Sequence, residues 1–66
     1  MPTRIVFLDR DLNVEVAEDP EDVQSRIELQ ARSGRLLKLQ RTAPAVGAIW
    51  INPSAVAYLE DMAQPT

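Results

Sequence analysis

The chain has 66 residues and a net charge of −3, with 45% hydrophobic and 26% charged residues. This composition is typical of one small globular domain and excludes a disordered polar chain. The sequence contains no Cys and no His, which excludes a disulfide scaffold, thiolate metal sites and the commonest general base. We therefore expect a single domain over residues 1–66 without metal or cofactor, and a frayed tail over about residues 62–66.

The longest stretch without a charged residue is 42–59, and it is interrupted by Asn52, Ser54 and two prolines. Such a stretch is not a membrane span. The first ten residues lack the long apolar core of a signal peptide. These features predict a cytoplasmic protein.

Charge is unevenly distributed along the chain. Residues 9–22 hold seven acidic residues and one basic residue, whereas residues 26–41 hold five basic residues and one acidic residue. Either the acidic segment faces the basic one within the molecule, or the basic segment contacts a polyanion or an acidic partner. The candidate residues for such a contact are Arg32, Arg35, Lys38 and Arg41. Net acidity and the lack of interleaved aromatic residues disfavour nucleic acid.

The first elements form a predicted β-hairpin. Residues 3–8 are rich in β-branched and aromatic side chains, which is typical of a strand. Leu12, Val14 and Val16 alternate with polar residues, as in a half-buried strand over residues 12–17. Residues 9–11 supply the turn between them.

A helix follows over residues 20–33. Asp19 is a suitable N-cap, Pro20 fits the first helical position, and acidic residues occupy the first turn. Gly34 suits a left-handed conformation after the last turn. Every fourth residue from Val23 to Ala31 is apolar, which predicts one narrow apolar face.

Residues 35–41 and 46–51 are predicted strands, separated by a loop at 42–45. Asn52 and Pro53 break the second of these strands and begin one helical or 3₁₀ turn. Residues 56–60 then either complete a short helix or form a last strand, and we favour the strand. Residues 49–60 resemble, over about a dozen residues, a stretch of the small flagellar regulatory proteins of the FlbD type, and we carry no function over from that resemblance.

These elements predict an α+β fold. We expect a four- to five-stranded antiparallel or mixed sheet in the order β-β-α-β-β, with a further short strand as an option and one helix packed on one face. The residues expected in the core are Ile5, Phe7, Val14, Val16, Val23, Ile27, Leu37, Leu39, Ile49 and Ile51.

Residues 5–11, Ile-Val-Phe-Leu-Asp-Arg-Asp, resemble the first motif of haloacid-dehalogenase-type phosphatases. In that family an apolar strand ends in Asp-x-Asp, and the first Asp attacks phosphorus beside a bound Mg²⁺. The family also needs a downstream Ser or Thr, a Lys and further acids on a much longer domain. We therefore interpret the motif as a hairpin turn and expect no enzyme activity.

The same stretch, Asp-x-Asp-x-Asn at residues 9–13, resembles the start of an EF-hand calcium loop. Such a loop needs Gly at its sixth position and a bidentate Glu at its twelfth. Those positions hold Val14 and Pro20. The second half of a calcium loop is therefore absent.

Trp50 and Tyr58 flank the break after the fourth strand. Large amphipathic rings are favoured at the centres of protein interfaces. Since one helix covers one face of a sheet, apolar strand surface remains on the other face. Alternatively, Trp50 covers the core beneath the helix.

We expect a non-enzymatic protein–protein interaction module with a regulatory or adaptor role, which self-associates as a homodimer or binds another protein. The expected contact centre is Trp50, Tyr58, Ile49 and Ile51. The alternative is binding of nucleic acid or an acidic partner through residues 26–41.

Overall fold

The computed structural model describes residues 2–9 and 12–62. Five strands and one α-helix follow one another in the order β-β-α-β-β-β, and their bounds are β1 Thr3–Phe7, β2 Asn13–Val16, α1 Pro20–Ala31, β3 Leu37–Ala43, β4 Gly47–Ile51 and β5 Val56–Asp61. A 3₁₀ turn over Pro53–Ala55 precedes β5. The α+β fold predicted from the sequence is confirmed, and the last segment is a strand. The frayed tail lies outside the described residues, except for Met62.

The strands form one antiparallel sheet in the order β4-β3-β2-β1-β5. The predicted hairpin of β1 and β2 is present, with Ile5 opposite Val14. On its other side β1 pairs with the last strand, where Ile5 lies opposite Leu59. Consequently β4 and β5 form the two edges of the sheet.

The sheet is strongly curved, because a short connection joins its two edges. A flat sheet of five strands would hold its edge strands about 19 Å apart, at about 4.8 Å per neighbouring pair. The connection from Ile51 to Val56 reaches at most about 18 Å, and it must also run from the end of β4 to the start of β5. The strands therefore wrap around a concave inner face. Helix α1 closes this face, in contact with β3, β5 and the 3₁₀ turn.

The hydrophobic core lies between the concave face and α1. Its buried side chains are Ile5, Val16, Val23, Leu37, Leu39 and Ile51, and the partly buried side chains packed on them are Phe7, Val14, Ile27, Ile49, Val56 and Leu59. All ten residues predicted for the core belong to this cluster. The sequence missed Val56 and Leu59, because the state of their segment was left open.

The ends of α1 follow the predicted signals, with a shorter helix. Asp19 occupies the N-cap position without a side-chain cap hydrogen bond, Pro20 opens the first turn, and the Asp19 carbonyl accepts a hydrogen bond of 2.9 Å from the amide of Val23. The helix ends at Ala31, two residues before the predicted end. Gly34 then adopts a φ of 70°. Glycine adopts this left-handed conformation at little cost, because it has no Cβ.

Strand β3 begins and ends two residues later than the sequence predicts. Ala43, expected in a loop, pairs with Glu15 of β2, and the Thr42 hydroxyl donates a hydrogen bond of 3.3 Å to the Glu15 carbonyl. Pairing with β2 thus extends the strand beyond its local signal. Arg35 and Leu36 fall outside it.

Candidate protein-interaction site

Strand β4 divides the predicted contact residues between two faces of the sheet. Trp50 and Ala48 lie on the convex outer face, because successive strand residues point to opposite sides. Ile51 is 7% exposed and belongs to the core, and Ile49 packs against that core. The structure corrects this part of the prediction: neither isoleucine joins Trp50 in a contact on the outer face.

Trp50 does not cover the core beneath the helix. Its side chain is 59% exposed, and the residue lies opposite Lys38 of β3. The Lys38 Nζ stands 5.6 Å from the centre of the indole ring. A cation–π contact at an exposed site contributes about 0.5–1 kcal/mol, and it favours one orientation of the ring.

Three large apolar side chains surround a shallow groove between α1 and the start of β3. Leu29, Leu36 and Trp50, here called the Trp50 patch, are 77%, 58% and 59% exposed. The groove has a volume of about 370 Å³, and its further lining residues are Arg26, Gln30, Leu37 and Lys38. Leu29 reaches the groove because it lies off the buried Val23–Ile27 stripe of α1.

Tyr58 lies apart from this groove. It is on β5 opposite Val6, its side chain is 54% exposed, and it is not a lining residue of the groove. The sequence grouped Tyr58 with Trp50 because the two flank the same break. In the fold, Trp50 has α1 and β3 as neighbours, whereas Tyr58 lies beside β1.

The groove carries positive charge. Arg26 and Lys38 stand on its two walls, and among the described residues that line it none is acidic. The Arg26 guanidinium donates a hydrogen bond of 3.1 Å to Asp22, and this contact raises the pKa of Arg26 above its ordinary value. Arginine is charged at ordinary pH in any case, and the ion pair with Asp22 offsets part of that charge.

The basic segment does not form one patch. Lys38 is on the outer face of β3, whereas Arg41 shares the inner-face register of Leu37 and Leu39. The Arg41 Nε donates a hydrogen bond of 2.7 Å to the Ala45 carbonyl. The remaining two candidates, Arg32 and Arg35, are exposed beyond the last turn of α1. This scatter is unsuited to tracking a phosphate backbone.

The acidic and basic segments do contact each other within the molecule. Asp22 pairs with Arg26 along α1. The Glu18 carboxylate accepts the backbone N–H of Gln40, at 3.1 and 3.2 Å to its two oxygens. Intramolecular complementarity therefore accounts for part of the charge pattern.

The middle of the outer face is charged, a feature that the sequence analysis missed. Arg4 of β1 pairs with Glu15 of β2 at 3.8 Å and with Glu60 of β5 at 3.5 Å. All three side chains remain at least one-third exposed, so these pairs contribute little to stability. Recognising the triad requires the register of three strands. The apolar surface expected across this face is instead confined to its margins.

The Asp-x-Asp motif of the hairpin lies partly outside the described residues, which include Asp9 but not Asp11. The Asp9 carbonyl accepts a hydrogen bond of 3.2 Å from the Leu12 amide, as in a tight turn. Within residues 2–9 and 12–62, no cluster of three or more acidic side chains could hold a metal ion.

The comparisons with known proteins yield no relative. No protein-family model matches the chain, no curated protein matches it, and no solved structure matches its fold. Across the described part of the chain, α1 and the other helical turn are too short and too polar to cross a membrane.

Proposed function

We propose that this chain is a non-enzymatic protein–protein interaction module whose docking surface is the Trp50 patch. The observation that carries the proposal is the convergence of Leu29, Leu36 and Trp50, each more than half exposed, on one groove. Clustered apolar exposure of this kind is typical of interaction sites. A regulatory or adaptor role in the cytoplasm belongs to the same proposal and rests on the sequence.

Trp50 is the anchor of this surface. Tryptophan is enriched among the residues that dominate binding energy at interfaces. The contact with Lys38 restrains the ring before a partner arrives, which lowers the entropy lost on binding. Two leucines beside the ring exclude water once the surface is covered.

The energy available from the Trp50 patch indicates a modest affinity. The three side chains together expose about as much as two whole side chains, so covering them contributes about 3–6 kcal/mol. A dissociation constant of about 1 μM corresponds to about 8 kcal/mol, after the costs of association. A partner therefore has to add polar or ionic contacts to the apolar ones.

The charge of the groove favours a different polypeptide over a second copy of this chain. Two copies that met patch to patch would bring Arg26 and Lys38 of each together, and like charges in an interface oppose association. The homodimer expected from the sequence is untested, and light scattering distinguishes it from a monomer. Because of the groove's charge we instead expect a monomeric mass near 7.4 kDa at micromolar concentration. A doubled mass that Trp50→Ala abolishes would contradict this choice of partner.

Selection from a random-peptide library tests the proposal without knowledge of the partner. Peptides selected on the wild-type chain should lose at least about tenfold in affinity against Trp50→Ala, as expected for an anchor residue. They should retain their affinity for Tyr58→Ala, a matched loss of an exposed aromatic outside the groove. Peptides that bind all three chains equally would refute the Trp50 patch as the docking surface, and so would a selection that yields no binder.

A further inference from the structure

The groove beside Trp50 has the size and lining of a site for one bulky side chain. Its volume of about 370 Å³ lies at the small end of ligand pockets. Leu37 forms part of its lining next to the Trp50 patch. One aliphatic or aromatic side chain from a partner could contact all three exposed apolar groups.

The charged residues of the groove stand on both of its walls. Arg26 belongs to α1 and Lys38 to β3, so an inserted side chain would lie between two cations, of which Arg26 is also paired with Asp22. The neighbouring depression, which shares Leu29 with the groove, is lined by Arg32 and Glu28, so it adds no net charge and the positive charge is confined to the groove. Carboxylates on either side of the inserted group would complement this arrangement.

We infer that the groove binds an acidic peptide segment that carries one central aliphatic or aromatic side chain. The inference rests on the proposed function and names the chemistry of its partner. The central side chain enters beside Leu29, Leu36 and Trp50. Carboxylates that flank it in the peptide meet Arg26 and Lys38. This is recognition of an acidic motif by a basic, partly apolar groove.

Two features of the molecule favour a peptide over nucleic acid. The net charge of −3 repels any polyanion, and it repels a long polyphosphate, which extends beyond the groove, more than a short acidic segment confined to the groove. The groove is also largely apolar, and the basic residues outside it are scattered. The compact combination of two cations and three apolar groups suits a side chain flanked by carboxylates.

Trp50 provides the readout, because it is the one tryptophan of the sequence. The probe is a synthetic peptide of about twelve residues with a central Phe flanked by Asp and Glu, and its control replaces each acid by the matching amide. We expect the acidic peptide to shift and saturate the Trp50 emission. The amide peptide should bind at least about fivefold more weakly, and the difference should shrink as salt is raised from about 0.05 to 0.5 M.

A pair of charge variants locates the contact. Lys38→Gln and Arg41→Gln remove the same charge, one inside the groove and one outside it. We expect Lys38→Gln to weaken the acidic peptide about three- to tenfold and Arg41→Gln to leave its affinity unchanged. Calorimetry with the same peptides measures affinity independently of the indole, since Lys38→Gln also removes the contact on the ring.

The outcomes separate the inference from the proposed function. Equal binding of the acidic and amide peptides at Trp50 would overturn the inference and leave the docking surface in place. Equal weakening by Lys38→Gln and Arg41→Gln would also overturn it, because the charge effect would then be unspecific. If no peptide perturbs Trp50 and library selection also fails, both the inference and the proposed function are wrong.

Discussion

Trp50 and Ile51 are neighbours in β4, yet their replacement by Ala should cost very different amounts of stability. Trp50 is 59% exposed, so about 100 Å² of its surface is covered, or about 2.5 kcal/mol at 25 cal/mol per Å². Partial burial in the unfolded chain and the retained Cβ reduce this to about 1–2 kcal/mol. Ile51 is 7% exposed, and Ile→Ala in a core costs about 2–5 kcal/mol.

These costs should be compared with a total stability of about 3–10 kcal/mol for a domain of this size. Trp50→Ala should remain folded, whereas Ile51→Ala should lose a large part of its stability or unfold. Urea titration followed by far-UV circular dichroism measures both variants without relying on the indole. With a slope of about 1 kcal/mol per M, the midpoint should fall by about 1–2 M for Trp50→Ala and by about 2–5 M for Ile51→Ala.

Ile51→Val is the matched control for this comparison, with an expected cost of about 0.5–1.5 kcal/mol. If Trp50→Ala destabilises the chain as much as Ile51→Ala does, Trp50 is a structural residue. The proposal that it anchors a docking surface would then lose its basis.

Three further substitutions probe the fold. Arg4→Met keeps the aliphatic stem and should cost less than about 1 kcal/mol of stability, because the ion pairs of Arg4 are exposed. The difference in urea midpoint from the wild type should shrink in about 1 M NaCl, and a difference that does not shrink would contradict an electrostatic role for Arg4. Gly34→Ala places a Cβ at a φ of 70°, which should cost about 1 kcal/mol. The melting temperature should therefore fall by about 4–8 °C, and an unchanged melting temperature would show that the turn relaxes. Asn52→Ala removes the acceptor of the 3.0 Å cap hydrogen bond in the 3₁₀ turn and should cost about 0.5–2 kcal/mol of stability. Asn52→Asp retains the acceptor and should retain most of the stability. Equal losses in the two variants would indicate that the cap is unimportant.

The elements of this fold were predictable where their signals are local. Pro20 marks the start of α1, where the Asp19 side chain makes no cap hydrogen bond, and the Asn52 side chain caps the 3₁₀ turn. Such signals depend on groups within a few residues. The alternation of Val14 and Val16 identified the second strand for the same reason. The extension of β3 to Ala43 was not predictable, since it depends on pairing with β2.

The composition of the candidate site was less predictable, because it depends on which strands become neighbours. Trp50 and Tyr58 are close in sequence, but β4 and β5 are opposite edges of the sheet. The separation of Ile51 from Trp50 does follow from the twofold period of a strand. Leu29 was also within reach of the sequence, because it lies off the apolar stripe of α1. The groove itself requires the packing of α1 against the start of β3.

The pairing of β1 with β5 has a consequence for how the chain folds during synthesis. Strand β1, the first of these five to be synthesised, lies between β2 and β5, and the Met62 amide donates a hydrogen bond of 3.0 Å to the Pro2 carbonyl. Until residues 56–61 emerge, Ile5 has a partner on one side only, and contacts this distant in sequence are slow to form. Folding of this domain therefore has to wait for nearly the whole segment, and a nascent chain that stops at the 3₁₀ turn exposes one side of β1 to other strands.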